Sequence, residues 1–313
     1  MELHKNCEPV TLGEDLLKLL NNHDRVKIKI RLITNNNVYG TCCKHLIPIS
    51  THPLVTPYSI SLPRNDFNNL QKLLKNDSST LMMKMDEDAI KIWNNNNNYL
   101  ISKIPKEIIR VYRRYHASQR HIISNHVGSN YNGIKVIMNI IAIFLTLIKN
   151  IDILAIKQPL HTIIKCREEN QEMIDCLTNL ILNSSGIGSG STPSSDDFII
   201  GFLVGIHDLI NNNNKTRLLL LLKHLRTTWL SKLLIKEVLR DPAYIINLYR
   251  LYTALFNSTY LQTDEIISSI IDFIRIGSSS GLFMLSGLIA GFSYRNALLL
   301  NLWKSILYHT LSI

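Results

Sequence analysis

Two pairs of glycines spaced four apart, Gly201/Gly205 and Gly287/Gly291, constrain this chain more than any other feature. Each pair lies in an apolar run, residues 194–210 and 281–292, that reads as a helix. Residues four apart share a helix face. A glycine inside a helix costs about 1 kcal/mol relative to alanine, so two on one face require compensation. Close approach of another helix supplies it, because the missing side chains open a groove. Both runs also follow a glycine–serine loop, Gly186 to Ser191 before the first and Gly277 to Gly281 before the second. This shared order predicts that the two glycine faces meet and that the loops converge at one end. The alternative is that each pair packs elsewhere in the core.

In the first loop, Gly186, Gly188 and Gly190 alternate with other residues before Thr192-Pro193-Ser194-Ser195-Asp196-Asp197. Thr192 suits an N-cap and Pro193 the first helical position. Asp196 and Asp197 then fall in the first turn, where the helix dipole favours negative charge. N–H groups at a helix start attract anions, whereas neighbouring carboxylates repel them. No Gly-Lys-Ser/Thr follows the glycines, so this is not a Walker loop. Two ligand classes remain. One is an amide, carbamoyl or ureido group, which offers an acceptor to the backbone and a donor to a carboxylate. The other is a divalent cation such as Mg²⁺, held by Asp196 or Asp197 and bridging to a phosphate. His207 and Asp208 lie on the order of 15 Å along the helix and are not expected to join the same ion. The plain alternative is a well-capped helix after a flexible loop.

The rest of the chain divides by hydrophobic period. Val26, Ile28, Ile30 and Leu32 alternate with charged residues, which predicts a half-buried strand of an antiparallel sheet. Residues 38–44 read as its return strand, 58–62 as a short extended piece, 67–74 as a short helix, and 81–85 with 89–93 as a further hairpin. Residues 1–24 read as a helical or irregular lead-in. After Pro105 the texture turns helical, with helices expected at 106–126, 133–148, 159–183, 194–210, 216–239, 243–256, 263–274, 281–292 and 295–311. The expected fold is α+β: a small β-rich, barrel-like domain over residues 1–104, then a larger all-helical domain over 105–313.

Composition narrows the function classes. The 313 residues are 46% hydrophobic, enough for a sizeable core. No secretory leader is expected, since residues 1–14 lack an apolar core. The longest apolar stretch, 136–148, is too short for a membrane span. The five cysteines (Cys7, Cys42, Cys43, Cys166 and Cys176) are odd in number and lack Cys-x-x-Cys spacing. A reduced, cytoplasmic setting follows. Cys42 and Cys43 fall in a predicted strand, where each is expected to be a small buried hydrophobe. The net charge of +10 is not read as a nucleic-acid signal. The densest basic cluster, Arg110, Arg113, Arg114, Arg120 and His121, lacks interleaved glycines and aromatics. It reads as a solvated helix face or a groove for an anionic substrate. The eleven histidines do not fall at zinc-site spacing, and no serine-hydrolase elbow or zincin motif is present.

Residues 188–197 resemble the Gly-Pro-Gly-Leu-Thr-Pro-Ser-x-Asp-Asp signature of a bacterial family that includes a subunit of oxamate carbamoyltransferase, an enzyme of anaerobic allantoin degradation. The second loop, Gly277-Ser278-Ser279-Ser280-Gly281, is similar to that family's Gly-His-Thr/Ser-Ser-Gly motif, and Leu285-Ser286-Gly287 matches its following Leu-x-Gly. Thr227, Thr228 and Ser231 fall where the family places a hydroxyl-rich helix start. Ser189 and Ser191 replace its usual Pro and Leu; Ser278 replaces its His and Phe283 its Asp, removing an ionisable pair. The resemblance implies carbamoyl transfer between carbamoyl phosphate and oxamate or a similar small amide or amine. It also implies partner subunits, one resembling acyl-CoA synthetases, so this chain would hold part of an active site. Gly188, Gly190, Thr192 and Ser194 would bind an oxyanion or carbonyl, with Ser279, Ser280 and Gly281 completing the pocket. Asp196 and Asp197 would be the catalytic pair, holding an amino group or a magnesium ion; the resemblance itself specifies no cofactor. The competing expectation is a non-catalytic subunit that positions its partners.

Overall fold

The computed structural model describes residues 10–51, 56–77, 80–86, 89–94, 100–105, 109–112, 154–257, 270–271, 273–274 and 279–310. The chain forms two compact units, Met1–Tyr115 and His116–Ile313. The architecture is α+β, a β-rich N-terminal half-barrel sheet followed by helices.

Among its described residues the first unit has nine strands: β1 (Val10–Gly13), β2 (Val26–Ile33), β3 (Asn37–Cys42), β4 (His45–Ser50), β5 (Ile60–Ser61), β6 (Thr80–Met85), β7 (Ala89–Asn94), β8 (Leu100–Pro105) and β9 (Ile109–Tyr112). They form one sheet in the order β8-β7-β6-β2-β3-β4-β5-β1-β9. In β2 the alternation holds: Val26 and Ile28 are buried while Lys27 and Lys29 are exposed. This strand pairs antiparallel with both neighbours, Lys29 opposite Thr41 on one side and Ile28 opposite Leu81 on the other. The expected 81–93 hairpin forms as β6 and β7. Helices α1 (Glu14–Asn22) and α2 (Arg64–Asp77) contribute Leu16, Leu20, Phe67 and Leu70 to a core shared with Val26, Ile28, Leu81 and Ile90.

Several expectations for this unit are corrected. The lead-in contains β1 and α1. Residues 109–112, expected to be helical, form β9, which lies parallel to β1 with Val10 opposite Ile109. Tertiary pairing there overrides local pattern, as it often does in strands. Cys42 is buried as expected, but Cys43 is exposed. Cys43 and Lys44 have φ of 50° and 72° and form the two-residue turn between β3 and β4. Such turns normally carry Asn-Gly, so the sequence concealed this one.

The second unit contains α3 (Leu154–Glu168), α4 (Met173–Ser184), α5 (Ser194–Gly205), α6 (Asn212–Leu221), α7 (Trp229–Arg240), α8 (Ile246–Asn257), α9 (Ser280–Arg295) and α10 (Ala297–Thr310). Its centre is the pair α5 and α9. Every residue of α5, and every residue of α9 from Gly281 to Tyr294, is buried. A helix apolar all round belongs in the interior. The glycine faces meet. A Cβ added at Gly201 would lie 1.8 Å from the Met284 carbonyl oxygen, and one at Gly287 would lie 1.9 Å from that of Phe198. Gly205 and Gly291 face each other, with a Cβ at Gly205 3.0 Å from the Gly291 Cα. Residue numbers rise together along both helices, so α5 and α9 run parallel and start at the same end. Arg295 closes the far end, donating to the Gly205 carbonyl at 2.9 Å and to both Asp208 carboxylate oxygens. Asp208 is therefore held by an arginine, remote from the helix starts.

Two expected long helices are each broken. The 159–183 segment is α3 and α4, separated by a turn in which Asn170 has φ of 50°. The 216–239 segment is α6 and α7, separated at Arg226–Thr228, with Thr228 capping α7 by accepting the Ser231 N–H at 3.1 Å. The α3–α4 turn brings Cys166 and Cys176 to a Cα separation of 5.5 Å, where they are joined as a disulfide. Cysteine count and spacing suggested free thiols instead; chain reversal placed this pair together. The expected helix at 133–148, most of that at 263–274, Cys7 and the basic cluster beyond Arg110 lie outside the described residues. No described helix is long and apolar enough to cross a membrane.

Candidate functional site

The first loop depends on three glycines. Gly186, Gly188 and Gly190 have φ of 82°, 107° and 111°, a region that L side chains rarely adopt. These angles fold the loop back over the start of α5. Ser195 donates its N–H to the Ile187 carbonyl at 3.0 Å, and its Oγ accepts the Ile187 N–H at 2.9 Å. The helix start differs from expectation: Pro193 is the N-cap and α5 begins at Ser194. Thr192 does not cap, because its hydroxyl donates to Asp197 Oδ2 at 3.1 Å. The N–H groups of Ser195, Asp196 and Asp197 are bonded to the Ile187 and Pro193 carbonyls.

The two adjacent carboxylates engage different partners. Asp196 accepts from the Gly186 N–H at 2.9 Å and from the hydroxyls of Thr227 and Ser231. It ties the loop, α5 and the start of α7 together. Burial raises its pKa, while these three donors pull it down. The loop is pinned again where Thr228 Oγ1 donates to the Ser191 carbonyl at 2.8 Å.

Asp197 sits where the two loops meet and is 1% exposed. Its carboxyl accepts from Thr192 and from the Ser280 hydroxyl, and those two hydroxyl oxygens are 3.4 Å apart. Its Oδ1 is buried and has no hydrogen-bond partner among the described residues. Burial pushes the Asp197 pKa up to about 8, against the pull of both hydroxyls and with a small further rise from Asp196. At neutral pH this group is mainly a carboxylic acid, able to donate as well as accept.

The other expected residues fall around this junction. Ser194 is buried beneath Gly188, where a Cβ would lie 2.9 Å from the Ser194 nitrogen. Gly190 is exposed beside Ser189 at the loop tip. Ser279 is the N-cap of α9 and Ser280 its first residue. A Cβ on Gly281 would lie 2.0 Å from the Phe273 carbonyl oxygen, so that glycine lets α9 start against neighbouring backbone. Phe283, in place of the family's Asp, is buried in the core. Gly277 and Ser278 lie outside the described residues. Ser195 was not anticipated, since only the folded loop brings its hydroxyl to Ile187. Among the described residues no three His, Cys, Asp or Glu side chains gather as metal ligands.

The starts of two parallel helices thus converge on a buried, protonatable acid. Each helix N-terminus carries about half a positive charge. A carbonyl oxygen is favoured there, and an amide also finds an acceptor and a donor in Asp197.

No curated protein and no solved structure matches the chain. Residues 185–292 match the family model described as oxamate carbamoyltransferase subunit AllH. That match opens one residue before Gly186 and closes one after Gly291, so it spans both loops and both glycine faces. Through this segment, about a third of its length, the chain is similar to the oxamate carbamoyltransferase subunit AllH family.

Proposed function

We propose that this chain is a cytoplasmic subunit of a carbamoyltransferase that uses carbamoyl phosphate with oxamate or a similar small amide, and that the junction of the two loops binds the carbamoyl group. The observation that carries this reading is Asp197: a buried carboxyl with one oxygen unpartnered, held by one hydroxyl from each loop. A carbamoyl NH₂ would donate to Oδ1, and the carbonyl oxygen would lie between the helix starts. In this reading Gly188, Gly190 and Thr192 of the first loop would bind the carbonyl side, and Ser279, Ser280 and Gly281 would complete the pocket. Asp196 is the positioning residue, since the groups that build the loop already engage its carboxyl. Orientation and stabilisation of developing charge on the carbonyl oxygen are the contributions expected of such a site. Magnesium is the less favoured option, because burial of Asp197 disfavours the ionised form a cation would need.

A second reading is supported by the enclosure of both carboxyls: the junction would be structural, and the chain would position partner subunits. Turnover of carbamoyl phosphate and oxamate by the assembled complex separates the two. Asp197→Asn is expected to lower turnover at least tenfold with assembly intact. Unchanged turnover would favour the structural reading.

A further inference from the structure

Among the described residues, the ionisable side chains at the loop junction are Asp196 and Asp197. A groove of about 400 Å³ touches the first loop at Ile187 and is otherwise lined by Leu154, Lys157, Gln158 and His161 of α3. This volume falls in the range of small-molecule sites. Ile187 is the residue between Gly186 and Gly188, bonded through its backbone to Ser195, so the groove wall is the first loop itself. The opposite wall is α3, where Lys157 and His161 are four residues apart and share a face. Neither side chain has a described ion pair or hydrogen bond. Lys165, two turns further along α3, is paired with Glu169.

We infer that Lys157 and His161 form the oxyanion-binding arm of this site, taking the phosphate or carboxylate of a small-molecule substrate whose carbamoyl or amide end reaches the loop junction. This rests on the reading proposed above. It assigns recognition of the charged end to α3, which precedes the matched segment 185–292. The physical case is division of labour. A neutral acid between two helix starts suits a carbonyl and an NH₂, whereas a phosphate or carboxylate needs a cation to replace its hydration. In the groove, Lys157 brings an ammonium group, His161 an imidazole, and Leu154 and Ile187 apolar lining.

Calorimetric titration of the full chain with inorganic phosphate, and separately with oxamate, tests this. At least one ligand is expected to bind, and its identity tells which end of the reaction the groove serves. Lys157→Met is expected to weaken that ligand at least tenfold and His161→Gln several-fold, while Lys157→Arg retains most of the affinity. Lys165→Met, which removes the same charge outside the groove, is expected to change it less than twofold. Equal losses in Lys157→Met and Lys165→Met, or no binding of either ligand by the wild-type chain, would overturn the inference. Failure of the functional reading looks different: Lys157-dependent binding would persist, but turnover of the complex would be indifferent to Asp197→Asn.

Discussion

At the scale of single residues, the decisive balance is between burial and hydrogen bonding at Asp197. Two hydroxyls favour its ionised form, but removal from water outweighs them. Its ordinary pKa of 3.8 applies to the unfolded chain and about 8 to the folded one. Between those values the folded protein holds a proton that the unfolded chain has released. The stability from this group is full below pH 3.8 and is lost as pH rises towards 8. Asp197→Asn cannot titrate, so its stability relative to wild type should improve from pH 5 to about pH 8 and level off by pH 9. Urea unfolding across that range measures the difference, and a constant gap would show that Asp197 is not held protonated. Asp196 behaves otherwise, because three donors depend on it. Asp196→Ala should cost about 3 kcal/mol, since three buried donors would be left without their acceptor. A cost under 1 kcal/mol in the same assay would count against the clamp.

At the scale of elements, α5 and α9 lie side by side only because four glycines permit it. Alanine at Gly201 or Gly287 would place a methyl within 2 Å of a carbonyl oxygen on the facing helix. Backbone cannot yield as a side-chain tip does. Each substitution should therefore cost about 3 kcal/mol or more, at the upper end of overpacking penalties. Either one alone pushes the helices apart, so the double variant should cost clearly less than the sum. A double-mutant cycle by thermal or urea unfolding reads this coupling, and strict additivity would argue that the helices are not separated as one unit. The same displacement would part Thr192 from Ser280, so both variants should also weaken function wherever Asp197 matters.

At the scale of the molecule, each unit carries its own core. Residues Met1–Tyr115 bury Leu12, Leu16, Ile28, Val38, Ile47, Phe67 and Leu81 together within one sheet-and-helix layer. Expressed alone, residues 1–115 should show β-rich circular dichroism and a cooperative thermal transition. A broad, non-cooperative melt would show that this core is insufficient. The glycine–serine junction lies wholly within the second unit, so loss of the first should leave the Asp197 pH effect unchanged.

Local pattern by itself determined the β-then-α order, the strand alternation of β2, the β6–β7 hairpin and the meeting of the glycine faces. These follow from periodicity and from the cost of glycine within a helix, both written in neighbouring residues. Tertiary structure alone decided which way each carboxylate points. Asp196 and Asp197 are adjacent and chemically identical, yet one serves Gly186, Thr227 and Ser231 and the other Thr192 and Ser280. Partners drawn from distant segments made that difference. The parallel pairing of β9 with β1, the Cys166–Cys176 bridge and the groove of Lys157 and His161 were hidden for the same reason. Each is a contact between segments whose own sequences carry no sign of the other, and only burial of the shared core brings them together.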